Sequence, residues 1–573
     1  MNFKNPVVLA LFSALLMWMG WPPHIITAPL LFIGLVPLLI AIDLLIRENS
    51  WKVGKKIFLT AGIGFFVWNT ASIYWVYNAI SAFSSGFIGL VISLLVSLIP
   101  FGLGALLMTF AFWMYYRFQR VVRNKRIAYL ALIAFYISME YLHQTWDLSF
   151  PWMTLGNGLS GMHELAQWYE YTGVYGGSIW ILLSNILAFE AFKSLFPTVF
   201  NPAPLNLGPF SPTLGALSPG ALPVKTGYLK YRPVYVWAFV LLLPAAISLI
   251  KYFRYEEKVF PVNVVAVQPN IDPYGKYGSI SPIQQLNTLT HLSDSVAQPN
   301  TEYFFWPETA ITTYTDEENV RNTGDYAYLK SFIGKYKNGN LVTGIETIRK
   351  YNDKSTISAK QDANSGMWYD NYNSAMQIEN SSNVQFYHKS KLVPGVEKMP
   401  FPKVLAFLAP VFEGLGGTAS GWGWQDEPGV FYSQNGIGMA PVICYESLWG
   451  SWIGASVKNG AQFIAVITND GWWGNTSGKD QHLLYAKLRA IETRRWVVRS
   501  ANTGISAFIN QRGDLVKETK WWTRDAIKAD INLNDKITFY VKSGDLLAQI
   551  MTIIAICLAL VIPYHSFFKR KNA

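Results

Sequence analysis

Apolar residues along the chain come first in long unbroken runs and later in short alternating ones. Eight segments, roughly 6–22, 25–46, 57–80, 86–116, 127–143, 171–192, 233–250 and 545–566, are apolar over about the 20 residues that a helix needs to cross a bilayer core. Between the seventh and eighth the pattern changes. Residues 262–267 and 463–468 read as strands, 504–509 and 514–516 around Asn510-Gln-Arg-Gly as a hairpin, and 480–499 has the period of a helix. Strands interspersed with helices predict a layered α/β domain. The pattern thus divides the chain into a polytopic α-helical membrane domain of seven spans at 1–254, an α/β domain at 255–541, and a C-terminal span with a basic tail at 542–573.

The first run has the basic start of a secretion signal. Trp18, Gly20, Trp21 and Pro22-Pro23 stand where small residues would mark a cleavage site, so it is read as a retained span. Basic residues then set the orientation, because loops rich in Lys and Arg stay cytoplasmic. Arg47, Lys52, Lys55 and Lys56 follow span two; Arg117, Arg120, Arg123, Lys125 and Arg126 follow span four; Lys193, Lys225, Lys230 and Arg232 follow span six. The loops at 81–86 and 143–170 carry no Lys or Arg. Both termini are therefore expected in the cytoplasm and the α/β domain outside, which in a bacterium places the protein in the inner membrane with a periplasmic domain.

Composition fits this division. Hydrophobic residues make up 51% of the chain, and the formal net charge of +11 comes in good part from the orienting loops, so it requires no nucleic-acid partner. The stretch 194–224 has no charged residue and is dense in Pro, Gly, Leu and Ser, the composition of a cytoplasmic connector. Two cysteines cannot build a disulfide framework, and the seven histidines are scattered with no pair at metal-ligand spacing. No metal and no cofactor are expected.

Three reactive side chains each close an apolar run. Glu308 follows Tyr303-Phe-Phe-Trp-Pro, Lys389 follows Val384-Gln-Phe-Tyr-His, and Cys444 follows Met439-Ala-Pro-Val-Ile. A thiol, a carboxylate and an amine converging at one sheet edge suffice for acyl transfer through a thioester. Glu308, beside a Trp and a Pro, is expected to act as the base with a raised pKa, and Lys389 to favour the thiolate and stabilise an oxyanion together with the backbone N–H after Cys444. Lys391 and Lys398 read as surface lysines. The apolar stretch 399–412 reads as a lid reaching into a lipid surface or as a buried helix.

Trp306-Pro-Glu308, His388-Lys389-Ser-Lys-Leu-Val-Pro394 with Glu397, Ile443-Cys444-Tyr445-Glu446 and Asn469-Asp470-Gly-Trp472-Trp473-Gly474 resemble the motifs of the nitrilase superfamily, in the order Glu, Lys, Cys with separations of 81 and 55 residues. Enclosure between seven spans and one, together with Phe150-Pro151-Trp152 in an outward loop, resembles the membrane branch of that superfamily, the apolipoprotein N-acyltransferases. The resemblance implies a nitrilase-like αββα sandwich and a Glu308–Lys389–Cys444 triad, with Glu397 as a second carboxylate supporting the lysine. It also implies that Tyr445 and Glu446 position the acyl-enzyme or the incoming amine, and that Trp152, Trp472 and Trp473 bind or gate substrate at the pocket mouth. Two positions depart from the family: Pro394-Gly395-Val396-Glu397 replaces its Pro-Phe-Gly-Glu, and Tyr277 stands where its outward loop carries Trp. The implied partners are a phospholipid acyl donor and a diacylglyceryl-modified lipoprotein whose N-terminal cysteine amine accepts the chain, in a ping-pong cycle. A membrane-tethered amidase using water as acceptor shares every catalytic residue. A transporter with a degenerate nitrilase-like domain is a further alternative, weakened by the scarcity of charge in the spans, where Asp43 and Glu140 lie near the ends.

Overall fold

The computed structural model describes residues 5–48, 50–82, 86–197, 228–405, 407, 409–414, 418 and 421–571. Most of the expected connector at 194–224 lies outside the described residues. Among the described residues eight α-helices pack as the N-terminal bundle: α1 (Pro6–Gly20), α2 (Val36–Glu48), α3 (Val53–Ile73), α4 (Trp75–Ser81), α5 (Gly86–Gln119), α6 (Lys125–Thr145), α7 (Tyr169–Leu195) and α8 (Tyr228–Arg254). Six helical segments among the described residues are long and apolar enough to cross a membrane, five of them in this bundle. Of the other two expected spans, α1 has 15 residues, and α6 dilutes its 21 with Lys125, Arg126, Glu140 and His143. The outward faces of α5 and α8 are apolar, with Phe87, Ile88, Leu95, Phe239 and Leu242 exposed, as helices facing lipid require.

Span two, expected as one helix over 25–46, is broken. Its first part is a 3-10 turn, Ala28–Phe32, and α2 starts only at Val36. A Cβ at Gly34 would meet Met17 Sδ at 2.6 Å, so the chain passes close against α1. The backbone groups freed by the break are met by α7: Asn185 Nδ2 donates to Leu31 O at 2.8 Å, Asn185 Oδ1 accepts from Leu35 N at 2.7 Å, and Ser184 Oγ donates to Phe32 O at 3.0 Å. Satisfaction by a neighbouring helix is what makes such a break tolerable in lipid.

Fourteen strands follow among the described residues. They are β1 (Pro261–Gln268), β2 (Thr301–Phe305), β3 (Ile311–Asp316), β4 (Asn340–Tyr351), β5 (Lys360–Gln361), β6 (Trp368–Glu379), β7 (Val384–His388), β8 (Phe431–Tyr432), β9 (Gly438–Ile443), β10 (Phe463–Thr468), β11 (Val497–Ala501), β12 (Ala507–Ile509), β13 (Leu515–Glu518) and β14 (Asp525–Asn532). One sheet runs β14-β1-β2-β4-β6-β5, with β3 on β4 and β7 on β6; the other runs β13-β12-β11-β10-β9-β8. Their helices are α9 (Pro282–Val296) and α10 (Gly324–Ile333) on the first, and α11 (Gly450–Lys458) and α12 (Ser477–Thr493) on the second.

Alternation along the strands explains the layering, since successive side chains point to opposite faces. Val262, Val264 and Ala266 of β1 face Phe463, Ala465 and Ile467 of β10 between the sheets. Val265 and Val267 pack under α9 with Leu286 and Leu289, while Ile464 and Val466 pack under α11 and α12 with Ile453 and Ala486. The result is an αββα sandwich. The helix expected over 480–499 is shorter: α12 stops at Thr493, Arg494 turns left-handed at φ 51°, and β-branched Val497 and Val498 enter β11 beside β10. A final helix, α13 (Leu546–Lys571), returns along α6. Tyr445, Trp449, Tyr485 and Leu488 of the sandwich join the core of the helical bundle, so the two parts share one apolar interior.

Candidate active site

β9, β10 and β11 run parallel, with Ile467 beside Ile443. The chain leaves β9 at Cys444, which takes φ 51°, a left-handed conformation that L-residues adopt at a cost and that turns the thiol out at the strand end. The following 3-10 turn, Cys444–Leu448, is braced from both sides. Glu446 Oε2 accepts from Ile443 N at 2.8 Å, while its Oε1 accepts from Ser390 N at 2.6 Å and Tyr387 OH at 2.8 Å. The Glu446 carboxylate therefore ties the turn at Cys444 to the loop that carries Lys389. Below the turn, His482 Nε2 lies 2.7 Å from Ser447 Oγ and 3.2 Å from the Cys444 carbonyl, and its Nδ1 lies 3.0 Å from Asp470 Oδ1. Arg499 pairs with Asp470, and all three side chains are fully buried.

Glu308 follows β2 and Lys389 follows β7, strands that β4 and β6 separate in the first sheet. Gly344 N donates to Pro307 O at 3.1 Å, and a Cβ at Gly344 would meet Thr309 N at 2.3 Å and Glu308 Cα at 2.6 Å. Only glycine on β4 lets the Glu308 turn lie this close. Lys389 N donates to Asn373 O at 2.8 Å, which fixes the lysine at the end of β7. Its Nζ donates to Glu397 Oε1 at 2.8 Å and to Glu308 Oε1 at 3.2 Å. Asn373 Nδ2 donates to the same two carboxylates at 2.8 Å (Glu308) and 3.3 Å (Glu397). Glu397 Oε2 accepts from Val393 N at 2.9 Å, which anchors the loop that carries Gly395 and Val396.

Burial works to lower the Lys389 ammonium, but Glu308 and Glu397 outweigh it and hold Lys389 well above the usual lysine range. Burial and then the Glu308 charge push the Cys444 thiol up, against the pull of Lys389 and a hydrogen bond with Thr468. At rest the site therefore holds a protonated Cys444 thiol beside the Lys389 ammonium. Deprotonation of the thiol must accompany attack, with a carboxylate in place to receive the proton.

The structure brings Glu308, Lys389, Glu397 and Cys444 together. Tyr445 and Glu446 lie beside these groups with partners of their own: Glu446 is saturated as described, and Tyr445 OH donates to Ser149 O of the bundle at 2.9 Å. Trp152, expected at the pocket mouth, is 1% exposed; its Nε1 donates to Gln481 Oε1 at 2.7 Å, and its ring packs on Trp75, Trp473 and Tyr485. It seals the junction of bundle and sandwich, because an indole with its N–H satisfied is stable when buried. Trp473 belongs to that junction, against Trp75 and His482, while Trp472 meets Tyr274 edge to face at 5.1 Å. Tyr277 is 54% exposed and donates to Glu346 Oε1 at 2.7 Å. The 399–412 stretch forms two short turns, Pro402–Leu405 and Ala409–Gly414, with Val404 and Phe407 exposed. Sequence reading missed Asn373, the His482 network beyond its motif residue Asp470, and Lys276, a buried lysine that donates to Thr309 Oγ1 and lies 3.4 Å from Glu308 O. Burial lowers Lys276 to about 8 against the opposing Glu308 charge. Among the described residues no group of three or more His, Cys, Asp or Glu is placed to hold a metal ion.

Residues 13–187 match the family model of the apolipoprotein N-acyltransferase N-terminal domain, and 264–538 match that of the carbon-nitrogen hydrolases. The apolipoprotein N-acyltransferase of Chlorobaculum tepidum is 30% identical over 97% of this chain and 96% of its own. Those of Thermotoga maritima and Geobacter metallireducens are 26% and 24% identical, over 93% and 95% of this chain and 89% and 93% of theirs. Among solved structures, Saccharomyces cerevisiae Nit3, a member of branch 10 of the nitrilase superfamily, overlays with a TM-score of 0.33 at 14% identity, covering 48% of this chain and 90% of its own.

Proposed function

We propose a lipid-fed acyl-transfer cycle from this premise: the chain belongs to the apolipoprotein N-acyltransferase family. It is a multi-pass bacterial membrane protein and an acyltransferase of the carbon-nitrogen hydrolase superfamily that N-acylates lipoproteins. The observation that carries the finer reading is Lys389 clamped between Glu308 and Glu397 beside a left-handed Cys444.

In the first half-reaction Glu308 takes the Cys444 proton as sulfur attacks the acyl ester carbonyl of a phospholipid. The carbonyl oxygen becomes an oxyanion, met by the Lys389 ammonium and the N–H of Tyr445. Collapse breaks the ester C–O bond, the departing alkoxide takes the proton from Glu308, and a lysophospholipid leaves behind a thioester on Cys444. In the second half-reaction the α-amine of a diacylglyceryl-modified N-terminal cysteine attacks the thioester. Glu308 accepts the amine proton, the C–S bond breaks, and that proton returns to sulfur. The product is an amide, and the enzyme is restored.

The sandwich shares its core with the helix ends of the bundle, which supports a donor drawn from the adjoining leaflet. The loop charges support both termini in the cytoplasm and a periplasmic site, with domain limits near 254 and 541. The reading is tested by incubating the full-length protein with phospholipid and a diacylated peptide bearing a free N-terminal cysteine amine. One acyl amide should form per lysophospholipid released, and none with Cys444→Ala or with an N-acetylated peptide. Fatty acid released to water at the same rate without acceptor would make the protein a hydrolase and sink the reading.

A further inference from the structure

A cavity of about 490 Å³ lies between bundle and sandwich, within the range of small-molecule sites, and Cys444, Glu308 and Glu397 do not line it. Gln144 and Trp146 at the end of α6 and Asp545 ahead of α13 form one side, with Lys391, Ser451 and Trp452 opposite.

The charges lining it are unequally matched. Asp545 accepts from Tyr540 OH at 2.8 Å and from Gln144 Nε2 at 2.9 Å, and Asp147 pairs with Lys398 at 2.9 Å. Lys391 differs: its Nζ sits 4.1 Å over the Trp452 ring, and among the described residues no carboxylate lies within ion-pair distance of it. Burial lowers it from the usual lysine value, against the charges of Glu446 and Asp426 and with Lys398 adding to the fall. An ammonium over an aromatic ring keeps its N–H donors, and Ser451 adds a hydroxyl to the same cavity, whereas the Ser390 hydroxyl donates to Gln425 O. Of the two lysines lining the cavity, Lys391 is the one with no ion-pair partner among the described residues and so the one placed to meet an anionic group. Beside it the chain offers apolar surface: Leu546 and Ile550, one turn apart on α13, and Leu142 on α6 are exposed along the seam where these two helices pack.

We propose that this cavity is a second lipid site, in which Lys391 binds the phosphate of a glycerophospholipid headgroup while the acyl chains lie along the α6–α13 seam, apart from the donor at Cys444. A membrane protein meets such lipids at high local concentration, and tryptophans such as Trp146 and Trp452 suit the boundary between headgroup and chain. The occupant would also bear on catalysis. Lys391 is two residues from Lys389, and the Ser390 and Lys391 N–H groups both donate to Glu446 Oε1, at 2.6 and 3.3 Å, so a lipid on Lys391 steadies the loop that carries the catalytic lysine.

The test is thermal unfolding of the full-length Cys444→Ala protein in detergent micelles, which removes acyl transfer from the readout. Dioleoyl phosphatidylglycerol, dioleoylglycerol and glycerol 3-phosphate are added separately. Phosphatidylglycerol should raise Tm by about 3 °C, and Lys391→Met or the cavity-filling Ser451→Trp should lose at least about half of that rise. Dioleoylglycerol, which has chains without phosphate, should give less than about a third of it, as should glycerol 3-phosphate. An undiminished rise in both variants, or an equal rise with dioleoylglycerol, overturns the site. The full rise with glycerol 3-phosphate alone reduces it to a phosphate-ion site and overturns the lipid. Either failure is separate from the donor reading, which depends on thioester formation in the wild type.

Discussion

Lys389 and Cys444 influence each other's protonation in opposite senses, and this gives the residue scale its sharpest consequence. Burial and the Glu308 charge raise the Cys444 thiol, while Lys389 lowers it. In Glu308→Gln one raising charge is gone, so the pH midpoint for alkylation of Cys444 by iodoacetamide should fall; in Lys389→Met it should rise. Alkylation rates across pH, read by mass, check both signs, and a shift in the same direction for the two variants contradicts the arrangement. Asn373 carries a second consequence, because it donates to both carboxylates that hold the lysine. Loss of such a bond typically costs about 1–2 kcal/mol, so Asn373→Ala should lower kcat about 5- to 30-fold with the protein still folded. The meeting of Glu308, Lys389 and Cys444 was legible in the sequence because each ends an apolar run and is a residue type that acyl transfer could use. Asn373 was not, since it sits inside β6, where nothing distinguishes a functional amide from an ordinary strand asparagine.

At the scale of elements, Gly344 shows how one strand position shapes the site. Valine there would drive its Cβ into the backbone of Glu308 and Thr309. Overpacking of this kind typically costs about 1–3 kcal/mol, and if Glu308 is the base proposed above, its displacement should lower activity by more than about 100-fold, read by amide formation against a melting curve. Near-normal kcat in Gly344→Val would mean that the Glu308 turn does not need its present position. The sandwich was largely legible, because period-2 runs such as 262–267 alternate between the inter-sheet core and the outer helices. Two elements were not. The 480–499 helix ends early because buried Val497 and Val498 are claimed by the parallel sheet, which overrides a helical period. Span two breaks because Asn185 and Ser184, some 150 residues away in sequence, satisfy the opened backbone, and no local pattern announces a distant partner.

Across the whole molecule, bundle and sandwich behave as one body. Gln481 of α12 bonds Trp75, Trp152, Pro22 O and Ser72 O, all from the bundle, and Trp449 Nε1 donates to Gln144 O at 3.1 Å. A rigid junction of this kind holds Cys444 at a fixed height above the bundle. Reporter fusions check the orientation: fused after residue 571 or within 118–124, a cytoplasm-active reporter should be active, and within 352–358 only a periplasm-active one. The reverse pattern would invert the topology and remove the outer leaflet as acyl source. The central claim is that Cys444 carries an acyl chain taken from phospholipid. Intact-mass spectrometry of the full-length protein after incubation with phospholipid tests it directly: wild type should gain one acyl-sized increment, removable by hydroxylamine, and Cys444→Ala should gain none. No increment in wild type with phospholipid, alongside an adduct formed with small amides, would contradict the account.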